Sequence, residues 1–257
     1  MKKYILLLIA ALSAVTFPGC NSIHGNQVMY GAGELFYKDG ATQDDAEKLG
    51  NYLLSVGFFD DETPHSTQLI KRGDTYVFRM SVQEDAIQNG DLERSLRFMS
   101  MDISADVFPG TKVDVELTDN DFDTKKTIPS PGVRSNQGKA TIYRSFDVDA
   151  ATADQVTAYL TKIGFIGNKE LILSYGIQGD DFLYELITAE GAEKDKDVVE
   201  ANKAIAGLLS ADVLHNKPVT LHFLADDYSI KSVYPYEEIQ TAYREFLADS
   251  AKSVLNP

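Results

Sequence analysis

A tandem pair of α+β domains is the fold class this chain predicts, and three observations predict it. The chain repeats itself. Ser104-Ala105-Asp106-Val107-Phe108 returns 106 positions later as Ser210-Ala211-Asp212-Val213-Leu214, and at the same offset Asp121-Phe122-x-x-Lys125-x-x-x-Pro129 returns as Asp227-Tyr228-x-x-Lys231-x-x-x-Pro235. Helical and strand periodicities also follow one another in the same order in both copies. Each copy is roughly 100 residues long, enough to bury a modest core of its own.

The first copy, residues 28–129, opens with an extended run from about Val28 to Lys38. Thr42-x-x-Asp45 then caps a helix, because a Thr hydroxyl there takes an orphan backbone N–H. Ala46, Leu49, Leu53 and Val56 form one apolar stripe, and Gly57 supplies the left-handed residue that ends the helix. Two strands flank the turn Gly73-Asp74, with Tyr76, Phe78, Met80 and Val82 alternating on one face. A second helix from about Asp91 to Asp106 turns Leu92, Leu96, Met99 and Ile103 inward. Val113, Val115 and Leu117 mark a closing strand.

The second copy, residues 137–235, keeps the design. Ala153, Val156, Leu160 and Ile163 repeat the stripe, and Gly164-Phe165 answers Gly57-Phe58. Strands flank Gly179-Asp180, with Phe182, Tyr184 and Leu186 alternating. A helix from about Asp197 to Leu214 uses Val198, Ile205 and Leu209, with Asn202 where Leu96 stands, and Val219, Leu221 and Phe223 close the unit. Each unit reads β-α-β-β-α-β, two helices on an antiparallel sheet, which is the order of a ferredoxin-like split βαβ arrangement. Residues 130–136 read as a linker, because Pro131, Gly132 and the flanking serines break both periodicities. Residues 236–257 form a C-terminal amphipathic helix with Ile239, Tyr243, Phe246 and Leu247 on one face, expected to pack back on the second copy.

The N-terminus carries an address. Lys2 and Lys3 precede an apolar stretch from Tyr4 to Val15, and Phe17-Pro18-Gly19-Cys20 follows. The apolar run is well short of the roughly 20 residues a membrane-spanning helix needs. Residues 1–19 followed by Cys20 resemble a bacterial lipoprotein signal. The resemblance implies cleavage after Gly19, lipidation of Cys20 and a tether over residues 20–27, with the membrane as a partner through the lipid. Cys20 is also the sole cysteine of the chain, so no intramolecular disulfide forms. Asn21 after the cysteine implies the outer membrane, if the host is Gram-negative.

Composition narrows the partners. Without residues 1–19 the chain holds 22 basic against 39 acidic residues, a formal charge of −17. That disfavours nucleic acid or anionic lipid headgroups as the main partner, since both need clustered Lys and Arg.

The chemistry-bearing residues form no recognised catalytic motif. Tyr30-Gly31-Ala32-Gly33 offers G-x-G, but Phe36 stands where a third glycine belongs. Asp119, Asp121 and Asp123 alternate as calcium ligands do, yet Thr124 replaces the glycine and Ser130 the glutamate of an EF-hand loop, so an acidic surface turn is expected. The four histidines, His24, His65, His215 and His222, lack zinc-site spacing, and His222 is expected to face solvent. Glu116 and Asp119 are the carboxylates that a general acid–base pair would use. No cofactor is expected.

Aromatics offer the remaining surface: Phe58, Phe59, Phe122, Phe165 and Tyr228 are the candidate interface. The expected role is non-catalytic binding or scaffolding at the extracytoplasmic side of the envelope, with an envelope protein or glycan as partner. Two alternatives stand beside it. One is an envelope-polymer hydrolase using paired carboxylates in a cleft between repeats; the other is a rigid spacer.

Overall fold

The computed structural model describes residues 24–255. The signal segment, Cys20 and Asn21 lie outside the described residues. The chain divides into two compact units, the division falling between Pro131 and Gly132.

The first unit has strands β1 (Asn26–Tyr30), β2 (Gly33–Tyr37), β3 (Ser66–Arg72), β4 (Thr75–Ser81), β5 (Lys112–Thr118) and β6 (Thr124–Ile128). Helix α1 (Gln43–Ser55) joins β2 to β3, and α2 (Gly90–Asp106) joins β4 to β5. The second unit has β7 (Gly132–Gln137), β8 (Ala140–Ser145), α3 (Ala150–Lys162), β9 (Leu171–Gln178), β10 (Asp181–Ile187), α4 (Lys196–Leu208), β11 (Val219–Leu224) and β12 (Ile230–Tyr234). Helix α5 (Tyr236–Leu255) follows. Each unit is therefore mixed α+β with its own six-stranded sheet, the strands lying in chain order across it.

Three sequence expectations need correction. Each unit runs β-β-α-β-β-α-β-β, with one strand more at each end than the expected β-α-β-β-α-β order. The run from Val28 to Lys38 is a hairpin, β1 and β2, turning at Gly31 (φ +60°), where an added Cβ would lie 2.3 Å from the Asp60 carbonyl oxygen. Of residues 130–136, read as linker, all from Gly132 onward belong to edge strand β7, which is paired along its length with β8. Most of β7 is exposed, so no apolar alternation betrays it.

The sheets are also mixed and not antiparallel. β2 runs parallel to β3 and β4 to β5, as β8 does to β9 and β10 to β11. A helical crossover returns the chain to the same end, so the strands it joins run the same way. Because those strands are immediate neighbours, the βαβ units are not split, and the ferredoxin-like arrangement does not apply.

Local chemistry accounts for the helices. Asp45 N–H donates to the Thr42 hydroxyl (3.2 Å) and Thr42 N–H donates to the Asp45 carboxylate (3.0 Å), a complete capping box. Asn89, Asp149 and Asp195 cap α2, α3 and α4 in turn. Leu35, Leu49, Leu53, Leu69, Phe78, Leu96, Ile103 and Val115 fill the first core between helices and sheet; Val156, Leu160, Leu173, Tyr184, Leu209 and Leu221 belong to the second.

The repeated Ser104 and Ser210 now have a reason. Ser104 donates to the Thr111 carbonyl and Ser210 to the Lys217 carbonyl, both at 2.7 Å, tying each helix end to the loop that feeds the next strand. In the second unit α4 gives way to a π-helical turn, Leu209–Val213. Helix α5 packs against α4: Ile239 is fully buried, and the Tyr243 side chain lies where a Cβ on Gly207 would be, 2.5 Å from its own Cβ. Among the described residues no helix is long and apolar enough to cross a membrane.

Candidate functional site

Strand residues alternate between the two faces of a sheet. Leu35, Leu69, Phe78 and Val115 point to the helices, so their neighbours Phe36, Gln68, Arg79 and Glu116 point to the opposite face. Register places these four in one row across β2, β3, β4 and β5: Phe36 beside Gln68, Gln68 beside Arg79, Arg79 beside Glu116. This row holds two buried charged side chains, Arg79 and Glu116. Gln68 is 0 %, Glu116 2 % and Arg79 8 % exposed.

Such burial demands partners. Arg79 Nε donates to Glu116 Oε2 at 3.0 Å, its Nη1 to Gln68 Oε1, and its Nη2 to both the Phe122 carbonyl and the Thr124 hydroxyl. Arg72 forks onto Glu116 from the same side. The Thr124 hydroxyl donates onward to Glu116 Oε2 at 2.8 Å. Burial pushes the Glu116 carboxyl up, but the hydrogen bonds from Arg72 and Thr124 and the guanidinium charges outweigh it and hold it below the usual range. Glu116 is thus a fixed anion clamped by two arginines.

Phe122 closes the row from above. Its φ of +61° is a left-handed conformation that costs a residue with Cβ about 1–2 kcal/mol. The tight turn imposes it, with Phe122 N–H donating to the Asp119 carbonyl and Asp119 N–H to the Asp123 carbonyl. The strained backbone delivers the ring against Phe36 (centroids 5.8 Å) and His24 (5.4 Å), and aims the Phe122 carbonyl at Arg79.

The second unit rebuilds this row with different ionisable groups. Tyr143 stands beside Ser174, Ser174 beside Glu185, and Glu185 beside His222. Tyr228 (φ +67°) occupies the matched turn, and its hydroxyl lies 3.3 Å from that of Tyr143. Where the first unit pairs Arg79 with Glu116, the second pairs Glu185 with His222, Oε1 to Nδ1 3.3 Å, both nearly inaccessible.

The structure reassigns most of the residues singled out by sequence. His222, expected at the surface, is 3 % exposed and is a member of the row. Glu116 and Asp119 take different partners. The Asp119 carboxylate accepts from Lys125 Nζ (2.7 Å) and from the N–H groups of Asp121 (3.1 Å) and Asp123 (2.9 Å). The Lys125 hydrogen bond, followed by those backbone bonds, holds its pKa below the usual range. The Asp119–Asp121–Asp123 turn therefore uses its first carboxylate to shape its own backbone. Among the described residues no group of three His, Cys, Asp or Glu side chains is placed to hold a metal ion.

Four of the five candidate interface aromatics are buried, and Phe165 is half-buried. Phe58 and Phe59 lie in the first core and Phe165 packs on the second, while Phe122 (4 %) and Tyr228 (6 %) are buried in the closing turns. Aromatic rings that follow a helix end are drawn into the core by the area they bury. His65 is buried against Phe58 at 4.8 Å, and desolvation pushes its imidazole pKa down against the opposing charge of Asp60.

Sequence reasoning missed Arg79, Gln68, Arg72 and Tyr143. One signal was available: at an offset of 106, Arg79 becomes Glu185 while Glu116 becomes His222. Charge changes on both strands together, as it does when the two positions touch.

One family model, described as the AF_1994_N family N-terminal domain, matches residues 27–130. Those residues correspond to the first unit from β1 to the end of β6. No curated protein and no solved structure matches the chain.

Proposed function

We propose that this chain is a lipoprotein anchored through Cys20 on the extracytoplasmic side of a bacterial envelope, where its duplicated domains bind or scaffold an envelope component. The observation that carries the non-catalytic part is the exchange on the sheet face. Both copies keep the aromatic cap, the left-handed turn and a paired row, yet Arg79–Glu116 in one becomes Glu185–His222 in the other. Chemistry at a shared site depends on the identity of its acid, base or clamp. A structural brace depends only on complementarity, which the exchange preserves.

The anchor rests on the tripartite signal and the lone Cys20, and Asn21 favours the outer membrane in a Gram-negative host. The acidic composition argues for a protein or glycan partner over nucleic acid. Crosslinking in intact cells, followed by affinity capture of the native protein and of Cys20→Ala, tests this reading. A specific envelope protein or glycan, recovered with the native protein and lost with Cys20→Ala, is the expected result. Turnover of an envelope polymer by the purified protein, abolished in Glu116→Gln or His222→Ala, would overturn it.

A further inference from the structure

We infer that the β1 edge of the first unit is a membrane-apposed surface, held against the lipid headgroups by the shortness of its tether. This rests on lipidation of Cys20 as proposed above and adds to it the orientation of the protein.

His24, the first described residue, is fastened to the body. Its carbonyl accepts from Gln68 Nε2 at 2.7 Å, and its ring sits 5.4 Å from both Phe36 and Phe122. Gln68 is fully buried in the middle of the sheet and locked by Arg79, so the fastening point belongs to the rigid row. Only four residue steps separate His24 from Cys20. Even fully extended they reach at most about 14 Å. An acylated Cys20 sits at headgroup level with its chains in the hydrocarbon.

A folded unit of this size has a radius of gyration of about 13 Å. The body therefore has no room to stand off from the bilayer. What it presents first is the strand that leaves His24: β1 is the edge of its sheet, with Asn26 and Gln27 exposed and Met29 57 % exposed.

Charge does not create this contact. The chain is strongly acidic, Glu34 holds Gln27 at 2.7 Å, and Asp60 and Asp61 adjoin the hairpin turn at Gly31. The contact is imposed by tether length and is lost when the tether grows.

The test uses the lipidated full-length protein in phosphatidylcholine vesicles that carry a nitroxide-headgroup lipid. Lipidation consumes the only native thiol, so a fluorophore can be attached at Gln27→Cys on β1 or, as control, at Arg97→Cys on the exposed side of α2. The expected result is severalfold stronger quenching at Gln27→Cys than at Arg97→Cys. Inserting about twelve Gly/Ser residues between Ile23 and His24 adds roughly 20 Å of reach, and should lower the Gln27→Cys signal to the control level. Equal quenching at both positions, with the acyl groups confirmed by mass, overturns the orientation and leaves the anchor standing. Quenching that persists on the long tether overturns the tether mechanism in favour of an adhesive surface. Absence of acyl groups on Cys20 removes the anchor, and this inference with it.

Discussion

Replacing Glu116 by alanine is the sharpest test of the brace. In the folded first unit Glu116 is 2 % exposed and receives donors from Arg72, Arg79 and Thr124. Its removal leaves the buried Arg79 guanidinium with only neutral acceptors: Gln68 Oε1, the Phe122 carbonyl and the Thr124 hydroxyl. Breaking a buried pair by deleting one partner costs about 3–5 kcal/mol, a large share of the roughly 5–15 kcal/mol that holds a domain together.

The double variant Arg79→Met/Glu116→Leu removes both charges and keeps most of the volume, so it should recover most of the loss. Urea unfolding followed by far-ultraviolet circular dichroism reads both, with the transition of the first unit assigned by its shift in Glu116→Ala. A cost under about 1 kcal/mol for Glu116→Ala would refute the argument, because the carboxylate would then be relieved by solvent. So would a double variant as damaged as the single one.

Three further outcomes follow from the same geometry. Tyr184 is fully buried with an unpartnered hydroxyl, whereas Phe78 fills the matched position, so Tyr184→Phe should raise stability by about 1 kcal/mol in a urea titration. Gly207→Ala places a Cβ 2.5 Å from the Tyr243 Cβ and should loosen α5 at a cost of about 1–3 kcal/mol, read as faster amide exchange in Tyr236–Leu255. The Glu116 carboxyl titrates below its ordinary 4.5 when folded, so its contribution is complete above that value and lost as pH falls through the folded one. The stability difference between native protein and Glu116→Gln should therefore be constant from about pH 7 to 5 and shrink below about 4.5.

Elements with a buried face were legible in the sequence. The stripe Ala46–Leu49–Leu53–Val56, the capping Thr42 and the hairpin turns at Gly73 and Gly179 stand where periodicity puts them, because burial on one side leaves a repeat in the sequence. The flanking strands left no such mark. In β6 only Ile128 is buried, and in β7 only Gly132, so neither shows the alternation that identifies a strand.

The polar row was hidden for a different reason. Arg79 and Glu116 lie 37 positions apart and meet only because β4 and β5 run parallel, and pairing direction is a property of the crossover that single-strand patterns do not carry. Phe122 misled in the opposite sense. An aromatic ring between acids reads as exposed, yet its left-handed backbone folds it over the sheet.

The most direct test of the whole account is the intact mass of the N-terminal peptide of protein purified from its native membrane. The expected species begins at Cys20 and carries a thioether-linked diacylglycerol on its sulfur. An N-terminus at any other residue, or a Cys20 with a free thiol, would contradict the anchor and everything argued from it.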